Sequence, residues 1–114
     1  MPDDCLFCRM AGGAAQVPKV HEDDKVFVIK DIHPRAPVHV MIIPRQHIGN
    51  ARELGSGHGE ILAHMFSTAT RVAEQLGVSE KGYRLTFNVG DEGGQTIYHL
   101  HLHLLGGRRL GPEG

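Results

Sequence analysis

The sequence lacks an excess of charge of either sign. Twelve Lys and Arg residues oppose thirteen Asp and Glu residues, which gives a formal net charge of −1. Proteins that bind nucleic acids or anionic membranes concentrate positive charge in a stripe or patch, whereas here the two signs are interspersed. We therefore expect neither a nucleic-acid partner nor a membrane partner.

Long apolar runs are also missing. A membrane-spanning helix needs about 20 consecutive apolar residues, and no window of the chain approaches that length. Residues 1–4 contain no basic segment leading into an apolar run, as a secretory signal peptide would. We therefore expect a cytoplasmic protein.

Cysteine is scarce, since the chain has only Cys5 and Cys8, separated by two residues. In a reducing compartment this spacing indicates metal or redox chemistry rather than a structural disulfide. Histidine, by contrast, is unusually abundant, with nine residues. The chemistry of the protein is therefore to be sought where the histidines cluster.

The length of 114 residues is that of one ordinary domain, and the chain has no linker, repeat or low-complexity tract. We expect a single domain over residues 1–114. Apolar residues recur at spacings of three and four over residues 59–76, with Gly77 following, which predicts one long helix. Residues 5–10 predict a short helix that ends at Gly12 and Gly13.

Strands are predicted in several places. Residues 25–30 and 38–43 are β-branched and apolar, and the prolines between them, Pro34 and Pro37, favour a turn that makes the pair an antiparallel hairpin. Residues 83–89 alternate apolar and polar side chains, as a half-buried strand does. The elements together predict an α+β fold, an antiparallel sheet of about five strands with one long and one or two short helices packed on one face.

The segment from Gln95 to Leu105 has a period of two. In a strand, His99, His101 and His103 would share one face while leucines occupy the other. Imidazoles lose solvation when they pack and change charge near neutral pH, so three in a row indicate a chemical site rather than a solvated face.

This histidine run, His-Leu-His-Leu-His-Leu-Leu at 99–105, resembles the signature of the histidine triad superfamily. The segments at 31–39 (Asp-Ile-His-Pro-Arg-Ala-Pro-Val-His) and 93–96 (Gly-Gly-Gln-Thr) resemble its flanking segments, and Leu-Gly-Gly-Arg at 105–108 resembles its Hint branch. The resemblance covers nearly the whole chain. It implies a two-fold dimer and a hydrolase of nucleoside 5′-phosphoramidates or acyl adenylates.

The resemblance implies a catalytic set of His99, His101, His103 and Thr96. His101 would attack the α-phosphorus and form a nucleotidyl-phosphohistidine that water then cleaves. His103 and Thr96 would donate hydrogen bonds to the phosphate oxygens, with the backbone amides of Gly94 and Gln95 as further donors. No cofactor is expected for this chemistry.

The resemblance also implies a binding site for a purine nucleotide such as AMP phosphoramidate. Asp31 would accept hydrogen bonds from both ribose hydroxyls, Ile32 would lie under the sugar, and Asn88 would lie near the phosphate. For His39, a place beside the catalytic histidine and a place as a hydrogen-bonded core histidine both stay open. The remaining residues of the implied nucleotide site are Leu6, Phe7, Met10, Ile29, Met41, Gly94, Gln95, Thr96, His101 and His103.

A structural zinc site is implied for Cys5, Cys8, His47 and His99, because some members of the superfamily bind zinc through two such thiolates and two histidines. A Cys₂His₂ set closes a tetrahedral zinc site. A free thiol pair is the alternative. The other histidines, His21, His33, His58 and His64, are interpreted as solvated or helix-surface residues.

Other functions stay open at the level of sequence. A dinucleoside polyphosphate hydrolase would share the nucleophile but would need room for a second nucleotide. A nucleotide-binding scaffold with vestigial activity and a zinc-binding interaction module are further alternatives. The predicted long helix carries more apolar residues than one sheet contact requires, which supports the implied homodimer.

Overall fold

A computed structural model describes residues 4–114 and contains one five-stranded antiparallel sheet. The strand order is β1-β2-β3-β5-β4, so β1 and β4 are the two edges. The strands are β1 (His21–Glu22), β2 (Val26–Lys30), β3 (Val38–Pro44), β4 (Tyr83–Thr86) and β5 (Leu102–Gly106). The predicted α+β fold and the hairpin of β2 and β3 are confirmed.

Two α-helices accompany the sheet, α1 (Leu6–Ala11) and α2 (Gly59–Gln75), and two short 3₁₀ turns, Ala51–Glu53 and Ser56–His58, precede α2. Cys5 is the N-cap of α1, and its Sγ accepts a hydrogen bond from the Cys8 amide. Gly77 follows α2 with φ +77°, a left-handed conformation that favours glycine. The long helix and the short helix therefore lie where the apolar periodicity predicts them.

The two faces of the sheet are covered by different helices. Val28, Val40 and Leu104 belong to the core beneath α2, whereas Phe27 and Met41, one position along in their strands, belong to a second core with Phe7 and Met10 of α1. Because neighbouring residues of a strand point to opposite faces, α1 and α2 lie on opposite sides. The expectation that the helices share one face is therefore wrong.

The histidine run is only partly a strand. β5 begins at Leu102, and the preceding residues leave the ladder: the Leu100 amide donates to the Ile48 carbonyl oxygen at 2.6 Å and the His99 ring bonds the Pro44 carbonyl oxygen at 2.7 Å. β4 likewise ends at Thr86 rather than at residue 89. Hydrogen bonds to the end of β3 and to the loop after it replace strand pairing here, and the run is buried from His99 to Leu104.

Within residues 4–114, the structure contains no helix that is both long enough and apolar enough to cross a membrane.

Candidate active site and metal cluster

A cavity of about 450 Å³ opens on the face of the sheet covered by α1. It is bounded by α1, by the turn between β2 and β3, by the loop before the histidine run and by β5. Twelve of the thirteen residues implied to contact a nucleotide line it: Leu6, Phe7, Met10, Ile29, Asp31, Ile32, Met41, Asn88, Gly94, Thr96, His101 and His103. The structure therefore brings these distant segments to one place.

His101 presents one nitrogen to the cavity as a lone pair. Its Nδ1 lies 2.7 Å from the carbonyl oxygen of His99. A carbonyl oxygen only accepts hydrogen bonds, so Nδ1 carries the proton and Nε2 of the neutral ring does not. This is the tautomer that a nucleophilic imidazole requires.

The tautomer of His103 is set by a chain of hydrogen bonds that starts at the main chain. The Arg35 amide donates to Nδ1 of His39 at 3.1 Å, so the proton of His39 resides on Nε2. That Nε2 lies 3.0 Å from Nδ1 of His103 and 3.4 Å from a carboxylate oxygen of Asp31. When His39 donates to His103, the proton of His103 lies on Nε2, where it is available as a donor in the cavity.

Burial keeps these rings neutral. Desolvation by burial is the main cause that lowers the pKa of His101, His39 and His103. The pKa of His103 falls to about 4, because its protonated form would in addition be repelled by Arg35 and, wherever they are themselves protonated, by His101 and His39. Asp31 opposes the shift at all three rings by favouring the protonated form. The rings are therefore uncharged near pH 7, as the assigned tautomers require.

Asp31 lies where the β2–β3 hairpin turns beside the cavity. One carboxylate oxygen accepts the His33 amide at 2.8 Å, a side-chain turn that fixes the carboxylate, and the other faces His39. The carboxylate remains half-buried at the cavity wall.

An apolar wall faces the polar one. Phe7 of α1 is 1% exposed and lies edge-on to the rings of His101 and His99, with centroid separations of 5.3 and 5.8 Å. Ile32 also lines the cavity and is 85% exposed. Aromatic and aliphatic walls with a few convergent polar groups are typical of small-molecule sites.

Sequence reasoning missed four lining residues: Lys30, His33, Arg35 and Ile97. Three of them lie close to Asp31 in the hairpin turn. Their nearness in sequence to a predicted site residue could have indicated that they line the same cavity. His33, which we interpret from the sequence as a solvated residue, is exposed and also lines the cavity.

Two members of the implied site are placed differently from the expectation. The amides of Gly94 and Gln95 already donate to the carbonyl oxygens of Asp91 and Gly90, each at 3.0 Å, so they are not free phosphate donors. Gln95 does not line the cavity. The expectation that these amides supplement the phosphate donors is therefore wrong for this conformation.

His99 also does not line the cavity; instead it faces a cluster of sulfur and nitrogen atoms. Its Nε2–H donates to the Pro44 carbonyl oxygen, so its Nδ1 is a lone pair. That Nδ1 lies 3.3 Å from Cys5 Sγ, 3.5 Å from Cys8 Sγ and 3.2 Å from His47 Nδ1. Cys8 Sγ lies 3.1 Å from His47 Nδ1.

These four ligand atoms fit a tetrahedral metal site. With zinc–nitrogen and zinc–sulfur bonds of usual length, tetrahedral ligands are separated by about 3.3 Å for two nitrogens and about 3.6 Å for nitrogen and sulfur. Without a cation the cluster is unfavourable for thiolates: burial, together with the neighbouring Cys5, raises the pKa of Cys8 to about 11. The predicted set of Cys5, Cys8, His47 and His99 can therefore hold a metal ion.

Two other histidines have defined partners rather than solvent alone. Nε2 of His21 and Nε2 of His64 both lie beside one carboxylate oxygen of Asp23, at 3.0 and 2.9 Å. His64 lies on the surface of α2, as interpreted from the sequence, but both side chains also bond Asp23, a contact that connects α2 to the turn between β1 and β2. His58 accepts the Gly55 amide at 3.0 Å in the turn before α2.

The family is decided by a match of residues 14–110 to the model of the HIT domain. The chain belongs to the HIT domain family. It is 40% identical over 112 residues to a purine nucleoside phosphoramidase of Escherichia coli (strain K12), which covers 98% of this chain and 94% of that protein. An uncharacterised HIT-like protein of Synechococcus elongatus is 43% identical, with both chains covered completely.

Solved structures of this HIT family agree closely with the fold. A HIT family hydrolase from Clostridium thermocellum has a TM-score of 0.94 and 46% identity, covering 99% of this chain and 98% of that one. A HIT family hydrolase from Legionella pneumophila has a TM-score of 0.95 and 45% identity, covering 97% and 100%. These relatives support assignment of this HIT protein as a hydrolase.

Proposed function

We propose that this HIT protein hydrolyses purine nucleoside 5′-phosphoramidates and related acyl adenylates, releasing the nucleoside monophosphate. The observation that carries the proposal is the hydrogen bond from His101 Nδ1 to the His99 carbonyl oxygen, which leaves Nε2 as a lone pair at a cavity with apolar and polar walls. The relationship to the Escherichia coli purine nucleoside phosphoramidase supports the substrate class.

The reaction proceeds in two displacements. His101 Nε2 attacks the α-phosphorus, the phosphorus–nitrogen bond breaks, and the amine leaves with the bonding pair and takes up a proton. Water then attacks the phosphorus of the nucleotidyl-phosphohistidine and the bond from phosphorus to Nε2 breaks. The bonding pair returns to the ring, and the proton of the water passes to solvent. The Nε2–H of His103 and the hydroxyl of Thr96 donate to the phosphate oxygens, whose charge increases in each transition state.

Asp31 and the apolar wall bind the nucleoside. A half-buried carboxylate can accept hydrogen bonds from both hydroxyls of a cis-diol, and Phe7, Met10 and Met41 supply a surface for a planar base. Asn88 and Gly94 also line the cavity, and we assign them to the phosphate. Ground-state affinity and transition-state stabilisation are thereby assigned to different residues.

Replacement of the nucleophile tests the proposal. His101→Ala should abolish release of AMP from adenosine 5′-phosphoramidate, while wild-type protein mixed rapidly with substrate should carry adenylate on His101, detected by mass spectrometry. His58→Ala, which removes a histidine far from the cavity wall, is the matched control and should retain turnover. Turnover by His101→Ala would refute the assignment, and tight AMP binding without wild-type turnover would favour a scaffold protein.

A second substrate class is favoured by charge at the cavity rim. Lys30 and Arg35 line the cavity beside Asp31, and these two cations would neutralise part of the charge of an extended polyphosphate. Dinucleoside polyphosphate hydrolysis is therefore the second candidate. The ratio of kcat/KM for adenosine phosphoramidate and diadenosine polyphosphate decides between the two.

We also propose that the Cys5, Cys8, His47 and His99 cluster binds structural zinc. The convergence of four ligand atoms and the lone pair on His99 Nδ1 support this, and zinc would join α1 to the loop after β3 and to the catalytic segment. Thiolate ligands persist in reducing compartments, in agreement with the predicted cytoplasmic location.

Elemental analysis tests the metal proposal directly. Purified protein should carry one zinc per chain, and Cys8→Ser should lose it and unfold at a lower temperature. Ser67→Cys, which places a thiol on the exposed face of α2, is a control for thiol content and should leave the stoichiometry unchanged. Wild-type protein that carries no metal after growth in zinc-supplemented medium would contradict the proposal.

A homodimer is the final element of the proposal. The edge strand β4 has no partner on one side among the described residues, and Phe66 of α2 is 41% exposed while its ring packs edge-on against Phe87 at 6.1 Å. Pairing of β4 across a two-fold axis would continue the sheet and cover this apolar surface.

A further inference from the structure

The side chain of Gln95 is buried in the protein and does not line the cavity. The residue is 6% exposed, and its Nε2 donates to the carbonyl oxygens of Gly49 and Ile97 at 2.9 and 3.1 Å. Its Oε1 accepts from the Gly90 amide and from Asn50 Nδ2 at 3.0 and 3.1 Å. A side-chain amide has two N–H donors and two acceptor lone pairs, so all of its hydrogen-bonding capacity is used.

The four partners lie in two loops of the chain. Gly49 and Asn50 belong to the loop after β3, while Gly90 and Ile97 lie at the two ends of the loop that leads into the histidine run. Gln95 therefore ties both ends of this second loop to each other and to the body of the domain. We name it the 90–97 loop.

Apart from the hydrogen bonds of Gln95, no regular secondary structure holds the 90–97 loop. None of its residues is paired in the sheet, and it turns at Gly90 and Gly94 with φ values of +73° and +85°. Its backbone bonds are local, from Gly94 to Asp91 and from Gln95 to Gly90. Loops of this kind move unless buried contacts hold them, and a fully satisfied buried polar network provides such a contact.

We propose that Gln95, with Asn50 as its partner, is a positioning residue that holds Thr96 in place against the phosphate of the bound nucleotide. Thr96 follows Gln95 directly and lines the cavity. A donor that is aimed at developing charge acts mainly in the transition state, whereas Asp31 and the apolar wall supply ground-state binding. Loss of the network should therefore reduce kcat more than it raises KM. The kinetic part of this proposal rests on the proposed function.

The kinetic test uses Gln95→Glu, which keeps the shape and one acceptor but removes the two donors to Gly49 and Ile97. We expect kcat for adenosine phosphoramidate to fall by about tenfold or more, with KM changed by less than about threefold. The loss should disappear in a Thr96→Ala background, since the network acts through Thr96. Gln75→Glu, the same change at the exposed end of α2, should match the wild type. Unchanged kcat, or losses that add with Thr96→Ala, would overturn the proposal.

Amide hydrogen exchange provides a test that needs no substrate. In Gln95→Glu a carboxylate oxygen would face the carbonyl oxygens of Gly49 and Ile97, which repel it, so the side chain should leave the network and withdraw the acceptor of the Gly90 amide as well. The Gly90 amide should therefore exchange about tenfold faster or more, with rates in β3 unchanged. Asn50→Asp, which keeps the oxygen that accepts the Arg52 amide but removes the donor to Gln95, should give a smaller effect of the same sign and serves if Gln95→Glu does not fold. An unchanged exchange rate of the Gly90 amide would overturn the proposal that Gln95 holds the 90–97 loop, whatever the activity of the variant. If the Gly90 amide exchanges faster in the variant but the wild type shows no turnover, the role of Gln95 in holding the loop is supported and the proposed phosphoramidase activity is refuted.

Discussion

At the scale of single residues, the main chain assigns a different state to each histidine of the run. The carbonyl oxygens of His99 and Pro44 hold the protons of His101 and His99, and the Arg35 amide acts on His103 through His39. Three chemically identical side chains thereby acquire the different tautomers that the proposed roles of nucleophile, metal ligand and hydrogen-bond donor require. These states depend on partners rather than on sequence order.

His39 does not line the cavity, and we expect it to act on catalysis mainly through its hydrogen bond to His103. His39→Leu fills a similar volume but removes the donor to His103 Nδ1 and leaves the Arg35 amide without its acceptor. We expect kcat for AMP release to fall by about 10- to 100-fold, as losses of supporting partners do, with KM little changed. His39→Gln restores a donor and should recover part of the loss, whereas equal activity of wild type and His39→Leu would contradict the relay.

The lowered pKa of His103 predicts how stability changes with pH. The ordinary pKa is 6.5 and the folded value is about 4, so between these values the unfolded chain binds more protons. The free energy of unfolding should therefore fall as the pH decreases from about 6.5 to about 4, by at most about 1.4 kcal/mol per pH unit for this residue. Urea unfolding at several pH values measures the slope, and His103→Leu should show a shallower slope than the wild type.

At the scale of elements, Asp23 holds α2 to the turn between β1 and β2. Its carboxylate accepts from His21, from His64 and from the amides of Lys25 and Val26. Burial favours the protonated acid, but these hydrogen bonds outweigh it and lower the pKa of Asp23 well below its ordinary value. Arg45 adds to the junction by donating to the Asp23 carbonyl oxygen at 2.7 Å.

Loss of the Asp23 charge should weaken this junction. Asp23→Asn replaces charge-assisted hydrogen bonds with neutral ones and should lower the free energy of unfolding by about 2 kcal/mol at pH 7. Since the folded pKa is depressed, the stabilisation is present above the ordinary pKa of 3.8 and is lost as the pH falls below it. Urea unfolding measures the difference. Asp24→Asn, at the neighbouring exposed aspartate, is the control and should change stability by much less.

At the scale of the whole molecule, the sheet separates two tasks. One core packs α2 against the face that carries Val28, Val40 and Leu104, and it has no part in the cavity. The other face carries the cavity and the cluster of Cys5, Cys8, His47 and His99, and α1 contributes to both. Loosening of α1 should therefore affect nucleotide binding, whereas changes beneath α2 should affect mainly stability or association.

The proposed dimer is tested on the α2 side. Wild-type protein should sediment as a dimer, and Phe66→Asp should shift it toward the monomer because a charge in an apolar interface is desolvated without a partner. Asp24→Lys changes charge near β1, at the opposite edge of the sheet, and should sediment as the wild type does. A wild-type monomer at micromolar concentration would contradict the dimer.

Much of this architecture was accessible from sequence because it depends on periodicity. The spacing of apolar residues predicted α2 and the β2–β3 hairpin, and motif resemblance brought Asp31, Thr96, His101 and His103 to one site. The placement of α1 was not accessible, since an apolar stripe of a short helix shows that it packs but not which face of a sheet it covers.

The sequence by itself determined the period of the histidine run, the order of the elements and the types of ligand atoms, because these are local properties of the chain. Only the tertiary structure decided where strand pairing begins, which protons the histidines carry, and that Gln95 faces Asn50 and Gly49 instead of a phosphate. Each of these depends on a hydrogen-bond partner that is distant in sequence. Partners of that kind are chosen by how buried polar groups from separate segments satisfy one another, which no spacing rule encodes.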